Sequence, residues 1–155
     1  MPLGHPRIDL RSDILSTINM ISYIKNLLPD YLVFIKIGNF YETYNDDAKI
    51  LAYLFNYKLK TIEQFYTTAG FPLIAINKVK TLLEKKEISY ILIDKKHNYE
   101  EIEKMNYKKK NKYDDYKMKA TQYIDKINRI EKIKNTLLFD DSKLKEIERV
   151  LYEKG

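Results

Sequence analysis

Two groups of residues in this sequence have types and spacing suited to chemistry. The first is a pair of carboxylates with a lysine: Asp30, behind Pro29, and Asp94-Lys95-Lys96 at the end of an apolar run. Two carboxylates and a lysine converging on one point can hold Mg²⁺ and activate water, as in a small nuclease. The same residues also fit a helix-terminating Pro-Asp and a solvated strand end, because short Asp and Lys patterns arise readily in a chain with 32% charged residues. The second group is Gly38-Asn39-Phe40-Tyr41-Glu42. In extended backbone the side chains alternate, so Phe40 and Glu42 point to one side and Tyr41 into the opposite layer. An aromatic wedge then stands beside a hydrogen-bond acceptor. On a turn next to DNA, the ring would press into a base step from the minor groove while the carboxylate takes a hydrogen bond from the displaced base. The alternative for these five residues is a Phe in the core and a Glu in solvent.

Other chemistries are excluded by composition. The four glycines (Gly4, Gly38, Gly70, Gly155) are scattered, so no glycine-rich phosphate loop can be written. There is no cysteine, and the two histidines, His5 and His97, are too few for a metal cage. Ser12, Ser16, Ser89 and Ser142 have no activating context. The chain is expected to be non-enzymatic, without metal or cofactor. No apolar stretch approaches the ~18 residues of a membrane span, and the N-terminus lacks a signal peptide's apolar segment, so a cytoplasmic protein is expected.

The elements that position these residues come from 155 residues and 18.6 kDa, with 45% hydrophobic and 13% aromatic content, enough for a core. Helical spacing of Ile14, Ile18, Ile21 and Ile24, capped by Ser12 and Asp13, predicts a helix ending at Leu28-Pro29. Tyr31 to Ile37 is β-branched, aromatic and almost wholly apolar, as a strand inside a sheet would be. A turn at Gly38-Asn39 leads to a short extended piece, Phe40 to Thr43. Asn45, Asp46 and Asp47 then cap a short helix that buries Ala48, Leu51, Leu54 and Phe55. Tyr57 to Ile62 and Phe65 to Thr68 read as strands, Ala69-Gly70-Phe71-Pro72 as a turn, and Ile76, Val79 and Leu83 as the buried stripe of a further helix. Ile88 to Ile93 is the last strand. The fold class expected is α+β: a small mixed β-sheet of about four strands flanked by helices, with a helical C-terminal extension.

The domain expectation is a flexible tip over 1–12, a folded α+β domain over 13–95, a Lys-rich linker over 96–113 and a helical hairpin or extension over 114–155. In the extension Tyr116, Ala120, Tyr123, Ile127 and Ile130 form one seam, and Asp140, Asp141 and Ser142 restart the helix before Leu144, Ile147 and Leu151. Net charge is +6; residues 1–100 hold 13 basic and 11 acidic side chains, and residues 101–155 hold 15 and 11. Of the 28 basic residues 24 are lysine, which suits diffuse attraction to phosphate better than bidentate reading of bases.

In its order of motifs the sequence resembles the N-terminal mismatch-recognition domain, domain I, of the MutS DNA mismatch-repair family. The family hallmark is a Phe-x-Glu within Gly-Asp-Phe-Tyr-Glu after an apolar strand, and here the stretch reads YLVFIKIGNFYETY. The flanking helices INMISYIKNLLPD and NDDAKILAYLF, the segment Ala69 to Pro72, the helix NKVKTLLEKK and the strand ISYILID follow in family order over roughly residues 14–95. The resemblance implies that Phe40 stacks on a mispaired or unpaired base and that Glu42 hydrogen-bonds to it, with Gly38 shaping the turn and Asn39 beside it among the DNA-binding residues. Asn39 replaces the family's usual Asp, Ile74 stands where many members have His, and Glu87 where many have Gly. Full MutS proteins continue into connector, lever, clamp and ATPase domains, most of whose phosphate contacts a lone recognition domain lacks. Lys108, Lys109, Lys110 and Lys112, with Tyr107 and Tyr113 nearby, are candidates to track a DNA backbone or to form a solvated hinge. The expected partner is double-stranded DNA, mismatched or distorted. The competing expectation is a protein-interaction module in a repair or mobile-element complex, meeting a partner or a second copy through its C-terminal helices, with no membrane involved.

Overall fold

The structure is a computed structural model that describes residues 10–153. The N-terminal tip expected over 1–12 lies outside the described residues except where it opens the first helix. Among the described residues fourteen elements follow one another, five of them α-helices: α1 (Leu10–Leu27), α2 (Asp46–Phe55), α3 (Ile76–Lys86), α4 (Tyr113–Phe139) and α5 (Asp141–Tyr152). The strands are β1 (Leu32–Ile37), β2 (Phe40–Tyr44), β3 (Lys60–Ile62), β4 (Tyr66–Pro72), β5 (Tyr90–Asp94) and β6 (Glu100–Met105). They form one six-stranded mixed sheet in the order β3-β4-β2-β1-β5-β6. Only β1 and β5 pair in parallel; every other neighbour is antiparallel.

The run Leu32 to Ile35 is buried on both faces because helices cover β1 from both sides. Val33 and Ile35 pack with Ile91 and Ile93 under Ile18 and Ile21 of α1. On the opposite face Leu32, Phe34, Tyr90 and Leu92 meet Leu51 of α2, Val79 and Leu83 of α3 and Ala120 of α4. The core is thus two apolar layers separated by the central strands, and among the described residues α1 is the helix that covers one of them.

The sheet has six strands where about four were expected. The main surprise is β6, which falls within the 96–113 stretch expected as a Lys-rich linker. Its sequence, Glu-Glu-Ile-Glu-Lys-Met, has no apolar alternation, yet as an edge strand it needs only the backbone of β5 on one side. Tyr107, Asn111 and Lys112 anchor the rest of that stretch: the Tyr107 amide donates to Ser89 Oγ (2.9 Å) and the Lys112 amide to the Glu87 carbonyl (2.9 Å). Ala69 to Pro72, expected as a turn, is the second half of β4 and pairs with Phe40 to Thr43. At the N-terminus Ser12 and Asp13 lie inside α1 rather than capping it; Asp13 instead pairs with Lys95 at 2.7 Å. The restart at Asp140 is as expected, with its side chain accepting from the Lys143 amide.

Candidate nucleic-acid interface

β1 and β2 are joined by a two-residue turn in which Gly38 has a φ of +58°. A positive φ at the first turn position is what a primed hairpin turn needs, and glycine adopts it without a Cβ clash. The Asn39 carbonyl accepts from the Leu73 amide (2.9 Å), so the hairpin tip is tied to the end of β4. Phe40, the first residue of β2, lies opposite Ile37 and Pro72. Its side chain is 51% exposed. Tyr41 points the other way, into the core, where its ring lies 5.7 Å from that of Phe71. The alternation read from the sequence is present, and the core aromatic of this segment is Tyr41, not Phe40.

Glu42 follows on the Phe40 side, half-buried and opposite Gly70. The Tyr44 hydroxyl donates to its Oε2 at 2.7 Å. Burial, then the Glu42 charge, pushes that hydroxyl far above the usual tyrosine range, so it stays a donor. The second carboxylate oxygen has no partner among the described residues. Gly70 makes room for this arrangement: a Cβ there would lie 2.9 Å from the Tyr41 carbonyl oxygen and 3.3 Å from Glu42 Cγ. Gly70→Ala should therefore push β4 off β2, costing about 1–3 kcal/mol by overpacking, which a thermal melt reads as a drop of several degrees. An unchanged melting temperature would show that the strands absorb the methyl group.

An open groove of about 370 Å³ lies beside the wedge, lined by Phe40, Glu42, Gly70, Thr68, Lys58 and Lys60. Sequence reasoning missed Lys58, Lys60, Tyr44 and Gly70. The two-residue spacing of the lysines signals a shared face, but which face depends on strand pairing that sequence does not show. Lys108, Lys109 and Lys110 form an exposed 3-10 turn elsewhere. Asn111, beside them, donates to the Asp30 carbonyl (2.8 Å), which puts this turn and Lys112 at the start of β1, whereas Phe40 follows its end. Six residues of strand separate the two groups by about 20 Å. The structure therefore groups Gly38, Asn39, Phe40 and Glu42 but sets the four candidate lysines apart from them.

The carboxylate pair is likewise divided. Asp30 precedes β1, while Asp94 ends the parallel strand β5 opposite Lys36, so the two cannot share one ion. Asp94 accepts from the Lys96 amide (3.0 Å) and from His97 Nδ1 (2.6 Å), contacts that hold its carboxyl below the usual range. No cluster of three or more metal-ligating side chains occurs among the described residues, and none of their helices is long and apolar enough to cross a membrane.

Comparison with known proteins bears on this hairpin-centred arrangement. The MutS protein of Chlorobium limicola, a DNA mismatch repair protein, is 41% identical over 49 residues, which are 32% of this chain and 6% of that relative. The family model of MutS domain I matches residues 17–114, well over half of the chain and reaching from α1 through β6 to the first residues of α4. With the six-stranded sheet and the Phe-x-Glu at its hairpin, that match makes the chain a member of the MutS domain I family.

Proposed function

We propose that this protein binds double-stranded DNA without catalysis, in the cytoplasm, and prefers mismatched or distorted duplex, with Phe40 as the wedge and Glu42 as the base acceptor. The observation that carries the reading is the half-exposed Phe40 ring at a hairpin tip, next to a carboxylate of which one oxygen accepts from Tyr44 and the other has no partner among the described residues. Unstacking a base step costs a few kcal/mol and least where pairing is already defective, while an aromatic-base stack returns about 1–3 kcal/mol, so insertion is favourable mainly at weak steps. The test is fluorescence anisotropy with a homoduplex and a single-mismatch duplex at two salt concentrations. Tighter binding to the mismatch is expected at both; equal affinities would end the reading.

A second reading concerns the C-terminal helices. Past Ile124 no side chain of α4 or α5 is buried, although Ile130, Ile133, Val150 and Leu151 are each more than half exposed. A hairpin this short buries too little to stand alone. Residues 125–153 carry seven basic and seven acidic side chains, so this part is neutral in a chain of net charge +6. Neutral, mixed-charge faces can meet face to face while the basic bodies stay apart, and a second copy of this chain is the occupant we favour. Sedimentation equilibrium should give a dimer that Ile133→Glu returns to monomer. A wild-type monomer at the highest concentrations would remove this reading.

A further inference from the structure

We propose that Lys58 and Lys60 form a backbone-phosphate site that fixes the orientation of DNA on the wedge, an inference that rests on the DNA-binding reading above. β3 is the edge strand, and Lys60 lies opposite Thr68 of β4, while Gly70 of β4 lies opposite Glu42 of β2. Residues directly opposite in antiparallel pairs share a face. The wedge, the two small residues Thr68 and Gly70, and Lys60 therefore run as three adjacent rows across one side of the sheet, and Lys58, two residues before Lys60 and outside β3, lines the same groove as Phe40 and Lys60. At two strand spacings the lysine row is about 10 Å from the wedge row.

The charges in this groove are not balanced. Lys25, Lys80, Lys95 and Lys117 each pair with a carboxylate. Lys58 and Lys60 are exposed, and no carboxylate pairs with either among the described residues. The groove carries opposite charge on its two sides: a carboxylate beside the ring, and at and just before the edge strand two ammonium groups that no carboxylate of the described residues neutralises. A minor groove is about 6 Å wide and is bordered by phosphodiester strands, so a ring entering it brings one such strand within reach of a side chain about 10 Å away. Glu42 repels phosphate and suits a base edge; the lysines attract phosphate. The duplex therefore sits one way round, with bases at Glu42 and one backbone over β3. Thr68 does not compete, because its hydroxyl donates to the Thr43 carbonyl (3.0 Å).

The test is the salt dependence of binding by the full chain, using the homoduplex and the single-mismatch duplex. Each phosphate neutralised contributes about 0.9 to the slope of log affinity against log salt. Lys58→Ala/Lys60→Ala should lower the magnitude of the slope by roughly 2 while the ratio of mismatch to homoduplex affinity stays the same, and Lys58→Arg/Lys60→Arg should restore the slope. A double-alanine variant with the wild-type melt and the wild-type slope would overturn the inference and leave the mismatch reading intact. Equal wild-type affinities for both duplexes, with a slope that still falls in the variant, would overturn the mismatch reading and uphold the phosphate site.

Discussion

Phe40→Ala is expected to bring the affinity for a single-mismatch duplex down to that for the homoduplex, while salt-sensitive binding to both remains. The ring is half exposed and contributes nothing to either apolar layer, so its removal should barely touch the fold. What it removes is the stack, about 1–3 kcal/mol, or roughly 5- to 150-fold in affinity for the mismatch alone. Homoduplex binding rests on phosphate contacts and should change little. Competition anisotropy with both duplexes, alongside a thermal melt, separates the effects. A variant that melts like the wild type and still prefers the mismatch would show that another group does the reading.

The largest effect on stability is expected at Asp47. This carboxylate, 2% exposed, accepts from the Val33 amide (3.1 Å), Lys25 Nζ (3.1 Å) and the Tyr113 hydroxyl (2.5 Å). Lys25 also donates to the Tyr31 carbonyl (2.6 Å) and stands 4.5 Å from the centre of the Tyr113 ring. One buried anion therefore ties α1, β1, α2 and α4 together. Burial pushes its carboxyl upward, and the Lys25 ammonium and the other donors pull it back. Asp47→Ala would strand a cation, a hydroxyl and an amide, costing about 3–5 kcal/mol of the 5–15 typical of a domain. The melting temperature should fall by about 10 °C, and by less in the double variant Asp47→Ala/Lys25→Met, because that change removes the orphaned charge with its partner. Melts within about 2 °C of wild type would mean that apolar packing alone holds α4 in place.

Much of the fold was readable in the chain. The helices with buried residues at three- and four-residue spacing, and the apolar runs at Leu32–Ile37 and Tyr90–Asp94, stand close to where periodicity puts them, since burying apolar faces is what forms them. The Phe-x-Glu hairpin was legible for the same reason: alternation along a strand is local geometry, and the family match confirms the block that contains it.

Other features depended on pairing. β6 was hidden because a polar edge strand is held by the backbone of its neighbour and carries no side-chain pattern of its own. Gly70 and Pro72 looked like a turn because their residue types favour one, yet β2 offered Gly70 a place in the sheet where any side chain would meet Glu42. Asp47 read as helix-capping charge, and only the fold brings Lys25 and Tyr113, distant in sequence, onto it.

By itself the sequence determined the alternation that puts Phe40 and Glu42 on one side and Tyr41 on the other, because side-chain direction in a strand follows from the backbone of that strand alone. Only the tertiary structure decided that the Phe40 ring on this side is half exposed, that Lys58 and Lys60 line the same groove, and that Lys108 to Lys112 lie at the far end of the sheet. Those outcomes depend on which strands lie side by side, and strand order is set by contacts between residues far apart in the chain.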